Sequence, residues 1–128
     1  MISIENVNSG SGNDTIIGNS ASNRLNGEAG NDKLYGNRGD DILIGGTGND
    51  TLNGGKDSDT FIISTGKDTI EDFSITEGDQ LLAHNSMKLT VEQFGNNLLL
   101  SNASHSIRTT LKGVDLDELL DHQPDLFD

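Results

Sequence analysis

A period of nine residues constrains this chain more than any other feature. From Ser9 the sequence divides into SGSGNDTII, GNSASNRLN, GEAGNDKLY, GNRGDDILI, GGTGNDTLN and GGKDSDTFI. The sixth place holds Asp14, Asn23, Asp32, Asp41, Asp50 and Asp59, and the eighth holds Ile16, Leu25, Leu34, Leu43, Leu52 and Phe61. Glycine fills most of the first and fourth places: Gly12, Gly18, Gly27, Gly30, Gly36, Gly39, Gly45, Gly48 and Gly54. Gly10, Gly46 and Gly55 stand at the second. Glu5 and Val7 fall in register before this frame, and Gly66, Asp68 and Ile70 after it. Self-similarity at a short fixed period is the mark of a stacked-repeat architecture, in which each unit buries its apolar face only against its neighbours.

Each repeat reads as a turn followed by a short strand. Glycine at places one and four opens the turn with backbone conformations closed to other residues. Asn19 and Asn37, at place two, tolerate left-handed geometry, and Glu28 does so less well. The last three residues form the strand, with its middle apolar side chain inward. Two repeats make one coil, and stacked coils make two parallel sheets. Ile16, Leu34, Leu52 and Ile70 form one inner column; Val7, Leu25, Leu43 and Phe61 form the facing one. The expected fold is all-β: a right-handed parallel β-roll over residues 1–80, with two nonapeptides per coil. A small antiparallel β cap and a short C-terminal helix follow in 81–128.

Composition sharpens the argument. The chain has 128 residues, 21 acidic against 8 basic, for a formal charge of −13, and only 31% are hydrophobic. Low hydrophobicity with high net charge is otherwise the signature of disorder. The acidic excess argues against nucleic acid or an anionic membrane and for a cation. The absence of Cys excludes disulfides and thiolate sites. No apolar run is long enough to span a membrane, and residues 1–20 lack the pattern of a cleavable signal peptide.

Stacking aligns like charges. At a strand spacing of about 4.8 Å, Asp14, Asp32, Asp50 and Asp68 form one ladder, and Asn23, Asp41 and Asp59 the other. Neighbouring carboxylates then repel by roughly 1 kcal/mol in water and about 3–4 kcal/mol at an effective dielectric of 20. Several such pairs rival the ~5–15 kcal/mol stability of a domain. A divalent cation between carboxylates reverses the sign. Carboxylate and carbonyl oxygens in flexible turns suit Ca²⁺ better than Mg²⁺.

These nonapeptides fit the pattern Gly-Gly-x-Gly-x-Asp-x-(apolar)-x, and the chain resembles the RTX parallel β-roll of type I-secreted toxins, lipases, serralysin-type proteases and alginate epimerase R-modules. Residues 3–32 are similar to the start of the roll in serralysin-type proteases, and DTFIISTGKDTIEDFSITEGDQL (59–81) to its end. The resemblance implies calcium between each repeat and the one eighteen residues on, held by both aspartates and by turn carbonyls. It pairs Asp14 with Asp32, Asp32 with Asp50, Asp50 with Asp68, Asn23 with Asp41, and Asp41 with Asp59. Asp72 and Asp79 help to close the last site near Asp59. Several ions, about four to six, follow from that pattern. Asn23, Ala21, Asp57 and Ser9 depart from the motif, so sites that use the second repeat are the weak ones.

Catalytic signatures are missing. There is no H-E-x-x-H, no G-x-S-x-G elbow and no Walker loop, and DSD at 57–59 does not start an EF-hand. His84, His105 and His122 are scattered and read as surface residues. Beyond residue 82, KLTVEQFGNNLLLSN (88–102) reads as a hairpin, HSIRTTLKGV (105–114) as a strand and DLDELLDHQ (115–123) as a helix ended by Pro124. This segment reads as a cap; the ending DLFD is also what a C-terminal export signal would carry. The expected function is a non-enzymatic calcium-binding module of a larger, secreted protein, exported by a type I apparatus and folded by calcium outside the cell. The alternative is an R-module-like polysaccharide-binding domain, for which Lys33, Tyr35 and Arg38 are the candidate contacts.

Overall fold

The computed structural model describes residues 6–83, 88–124 and 126. Glu5, His84 and all of the DLFD ending except Leu126 lie outside them. The six repeats give β2 (Thr15–Ile17), β3 (Arg24–Asn26), β4 (Lys33–Tyr35), β5 (Ile42–Ile44), β6 (Thr51–Asn53) and β7 (Thr60–Ile62). Each occupies the last three places of its nonapeptide. Before them lies β1 (Asn6–Asn8); after them come β8 (Gly66–Ile70) and β9 (Gln80–Leu82). The C-terminal part adds β10 (Thr90–Phe94), β11 (Asn97–Ser101), β12 (Ile107–Leu111) and α1 (Leu116–His122).

The strands alternate between two sheets, as a coil of two repeats requires. One sheet runs β1-β3-β5-β7-β9, all parallel, and places Val7, Leu25, Leu43, Phe61 and Leu81 in a single column. The other contains β2-β4-β6-β8 and aligns Ile16, Leu34, Leu52 and Ile70. All of these except Val7 are buried, and the columns meet in one continuous core. The molecule is a parallel β-roll of about four turns.

Backbone conformation differs from the sequence reading in one respect. The left-handed region is used at places two and four, not one. Glu28 (φ 63°) and Asn37 (φ 71°) take it at place two, and Asp57 (φ 77°) at place four. Asn19 and Ala21 do not, so the second repeat turns differently from the others. Gly27, Gly36, Gly45 and Gly54, at place one, keep ordinary φ and are buried. They must be glycine for another reason, which the site explains.

The antiparallel strands expected after residue 81 form, but they are no separate layer. β12 pairs in parallel with β8, and β11 and β10 then extend the same sheet antiparallel. The segment therefore continues the roll with local chain instead of with a further repeat. Helix α1 is N-capped by Asp115, whose carboxylate accepts from Asp117 N–H and Glu118 N–H. It buries Leu119 in the core, with Leu116 and Leu120 half-buried. Its last turn reaches the edge of β9. There Gln123 accepts from Leu81 N–H at 2.7 Å and donates to Leu81 carbonyl at 2.9 Å. One side-chain amide thus replaces a missing strand.

Candidate metal centre

The sixth-place side chains are drawn inside the turns. Asn23, Asp32, Asp41, Asp50, Asp59, Asp68 and Asp79 are each 1–3% exposed. Each carboxylate uses one oxygen to stitch coils together. Asp32 Oδ1 accepts from Asp14 N–H at 2.8 Å, and Asp50 Oδ1 from Asp32 N–H at 2.8 Å. Asp68 Oδ1 accepts from Asp50 N–H in the same way. On the other edge Asp41 accepts from Asn23 N–H, Asp59 from Asp41 N–H and Asp79 from Asp59 N–H. Five of these pairs are eighteen residues apart, as the nine-residue frame stacks them, and Asp59 with Asp79 is twenty apart.

The second oxygen decides the chemistry. Oδ2 of Asp14, Asp32, Asp41, Asp50 and Asp59 is buried with no hydrogen-bond partner. A buried unpartnered polar atom costs about 1–3 kcal/mol, and more when charged. Burial, the leading cause, pushes the Asp41 and Asp50 carboxyls up to about 6, Asp68 to about 7 and Asp59 to about 8. It raises Asp72 and Asp79 as well, against the main-chain N–H bonds that lower them. Nearby carboxylates add to the effect: Asp32 acts on Asp50, and Asp79 on Asp59.

First-place glycine now has its reason. A Cβ on Gly27, Gly36 or Gly45 would stand 2.5 Å from Oδ2 of Asp32, Asp41 or Asp50, and one on Gly54 would collide with Oδ2 of Asp59. Gly18 makes the same room for Asn23 Oδ1. The cradles of Gly27, Gly36, Gly45 and Gly54 thus keep open the space beside an unpartnered carboxylate oxygen, whereas Asn23 Oδ1 accepts from Asn19 N–H at 3.0 Å. Fourth-place glycines stack closely too: a Cβ on Gly39 would meet the Ala21 carbonyl at 2.8 Å. At place two, the carbonyls of Gly10, Glu28 and Asn37 accept from Ala29, Thr47 and Lys56 N–H groups one coil on.

Among the described residues no three His, Asp or Glu side chains gather as a cluster. A cation here would be held by few carboxylates with main-chain carbonyls for the rest. All-oxygen donors in Gly-rich turns are what Ca²⁺ takes. The residues present fit that ion.

Residues 8–43 and 35–70 match the family model of the RTX calcium-binding nonapeptide repeat. The roll is built of RTX calcium-binding repeats. Its fold is similar to the solution structure of the AlgE6R3 subunit from the Azotobacter vinelandii mannuronan C5-epimerase. The TM-score is 0.58 and the identity 22%, over 94% of this chain and 79% of that one. Extracellular lipase LipA from Serratia marcescens is similar over 80% of this chain and 14% of its own, at 26% identity and a TM-score of 0.47. Comparison with curated protein sequences finds no match.

The remaining predicted residues are placed as follows. Asp72 lies at the end of the RTX ladder on the Asp59 edge, where its two oxygens accept from Gly54 N–H (2.9 Å) and Gly55 N–H (2.6 Å). Asp79 has both oxygens engaged, by Asp59 N–H and Ser74 N–H. Lys33 and Tyr35 share β4 and face outward, whereas Arg38 sits in the following turn beside Lys56. His105 is exposed, and His122 is partly buried with Nε2 at 2.6 Å from the Asp79 carbonyl.

The nine-residue reading missed a second ladder. Asn13 accepts from Asn31 N–H, Asn31 from Asn49 N–H, and Asn49 from Lys67 N–H. These fifth-place bonds run opposite in direction to the aspartate bonds. The signal lies in a frame of eighteen, because the other edge carries Ser22, Asp40 and Ser58 at the same place.

Proposed function

We propose that this chain is a calcium-dependent folding module of a secreted protein. The observation that carries the reading is the set of five buried, unpartnered Oδ2 atoms on Asp14, Asp32, Asp41, Asp50 and Asp59. Sixth-place carboxylates, with turn carbonyls, hold the ions between successive coils, and Asp68, Asp72 and Asp79 close the two files. Bound calcium supplies the positive charge that offsets carboxylate burial and repulsion. Because binding favours only the folded roll, its free energy becomes folding free energy. Where free calcium is scarce the acidic chain stays unfolded and can be exported, in keeping with RTX proteins of type I secretion; in millimolar calcium it folds. The module acts as a scaffold for a larger parent protein and has no catalysis of its own.

Far-UV circular dichroism of the full chain during calcium titration tests this reading. Cooperative gain of β-structure at about 10⁻⁴–10⁻³ M calcium is expected. A spectrum that EDTA leaves unchanged would overturn it.

A second reading is favoured by one surface. Lys67 and Arg108 stand directly opposite each other on β8 and β12, both exposed, with exposed Phe94 and Asn97 beside them. Like charges opposite each other in a sheet are unfavourable, so an anionic ligand would relieve them. Lys33 and Tyr35 lie on the same sheet. An acidic polysaccharide, as the epimerase relative's name suggests for that protein, would fit there. Titration with uronate oligosaccharides in saturating calcium separates the readings, with Lys67→Ala/Arg108→Ala as the variant that loses binding.

A further inference from the structure

The ladder of Asp14, Asp32, Asp50 and Asp68 does not end with the repeats. In the β8–β12 pair, Thr109 is the register partner of Asp68, so it takes the position a sixth-place residue would hold in the next coil. Thr109 is 2% exposed, and its Oγ1 is buried without a hydrogen-bond partner. It is the one such atom among the described residues that does not belong to an aspartate. Around it stand Leu98, Leu100, Ile107 and Leu111, all buried. A threonine in that setting gains nothing over valine, which has the same shape without the unpaired hydroxyl.

The two files of side chains end differently. On the other edge the final residue, Asp79, has both oxygens engaged by main-chain N–H groups. On this edge Asp68 Oδ1 accepts from Asp50 N–H, and Oδ2 has the Ser64 hydroxyl at 3.3 Å. That is a long contact for an O–H···O bond. A buried carboxylate weakly satisfied on one oxygen, a second hydroxyl close by, and an unpartnered hydroxyl in register make an oxygen-only donor set. Of its members, Thr109 lies outside the nonapeptide repeats, whose match ends at residue 70.

We propose that Asp68, Thr109 and Ser64 form a further divalent-cation position at the end of the roll, with Thr109 Oγ1 as a ligand contributed by β12. The inference rests on the reading that the aspartate ladders hold calcium. It makes the C-terminal segment part of the binding machinery rather than only a cover.

The test is a count and a midpoint on the full chain: calcium bound per chain by competition with a chromophoric chelator, and the midpoint by circular dichroism. Thr109→Val removes the hydroxyl and keeps the shape. The expected result is one ion fewer per chain and a midpoint raised about three- to tenfold, the scale of one lost polar contact. Thr109→Ser, which keeps the hydroxyl, should retain the count, as should Thr110→Val on the outward face of the same strand. Failure of Thr109→Val to fold at any calcium concentration, with Thr109→Ser folding normally, also assigns the hydroxyl its role. An unchanged count and midpoint in Thr109→Val, with raised thermal stability, would overturn the proposal. So would the loss of an ion in Thr109→Ser. If the unaltered chain binds no calcium, the reading of the ladders fails instead, and the two failures are distinguishable.

Discussion

At the scale of single residues, the first and sixth places of each repeat work as a pair. Gly45 is confined by Asp50 Oδ2 rather than by its own backbone angles. Gly45→Ala should therefore destabilise the calcium-bound roll by about 1–3 kcal/mol, the usual cost of overpacking. It should raise the calcium midpoint too, because the added methyl enters the space beside the carboxylate. A midpoint equal to that of the unaltered chain would show that the cradle is not needed. The ladder positions should also be unequal. Asp41 lies between two neighbours, accepting from Asn23 N–H and donating its own N–H to Asp59. Asp41→Ala or Asp32→Ala should raise the calcium midpoint by about tenfold. Asn23→Ala, which loses a neutral side chain in the most divergent repeat, should change it far less. Comparable damage from Asn23→Ala would contradict the assignment of sites to charged pairs.

At the scale of elements, the roll faces the problem of every stack: its last strand exposes unpaired main-chain groups. The two sheets solve it separately. One recruits β12, β11 and β10; the other uses the Gln123 amide on β9. Gln123→Ala should leave Leu81 N–H and carbonyl without those partners and cost about 1–2 kcal/mol, read as a lower thermal midpoint in saturating calcium. Removing residues 84–128 strips both closures although it takes away no aspartate of the repeats. The truncated chain should need several times more calcium to fold; an identical titration curve would dismiss the capping role. The hairpin, strand and helix that follow the repeats were legible in the sequence, but the way they close the two sheets was not. Strands, columns and ladders followed from a period of nine, since each position is set by near neighbours in a repeating frame. Beyond residue 82 the period stops. Whether HSIRTTLKGV would join its own hairpin alone or also dock on β8 then depended on contacts some forty residues apart in sequence.

At the scale of the whole molecule, charge sets the conditions for folding. In the metal-free roll the carboxyls of Asp41, Asp50, Asp59 and Asp68 lie above the ordinary carboxylate range, at about 6, 6, 8 and 7. The folded state therefore binds more protons than the unfolded state between pH 4 and those values. By linkage, metal-free stability is greatest near pH 4 and falls as pH rises through 6 to 8. Without calcium, acidification from pH 7.5 to 4.5 should increase β-structure, and circular dichroism in EDTA would register it. A metal-free spectrum independent of pH over that interval would argue against burial of these side chains. The nonapeptide frame aligned the aspartates but assigned the wrong task to first-place glycine, because a repeat read alone does not show which side chain lies across from it.

Within the repeats the sixth-place aspartate and fifth-place asparagine stitches join residues eighteen apart, the former bonding in one direction and the latter in the other. The gene that encodes such a roll is therefore free to change length only in certain steps. Duplicating or deleting one whole coil leaves every downstream strand in its own sheet, every aspartate on its own edge, and both closing segments facing the strands they fit. Duplicating a single nonapeptide does not. It moves each later strand to the opposite sheet relative to the strands before it, so that the asparagine file of Asn13, Asn31 and Asn49 would run on into the edge that carries Ser22, Asp40 and Ser58. Lineages of this domain should thus differ by even numbers of repeats between the start of the roll and its closing segment.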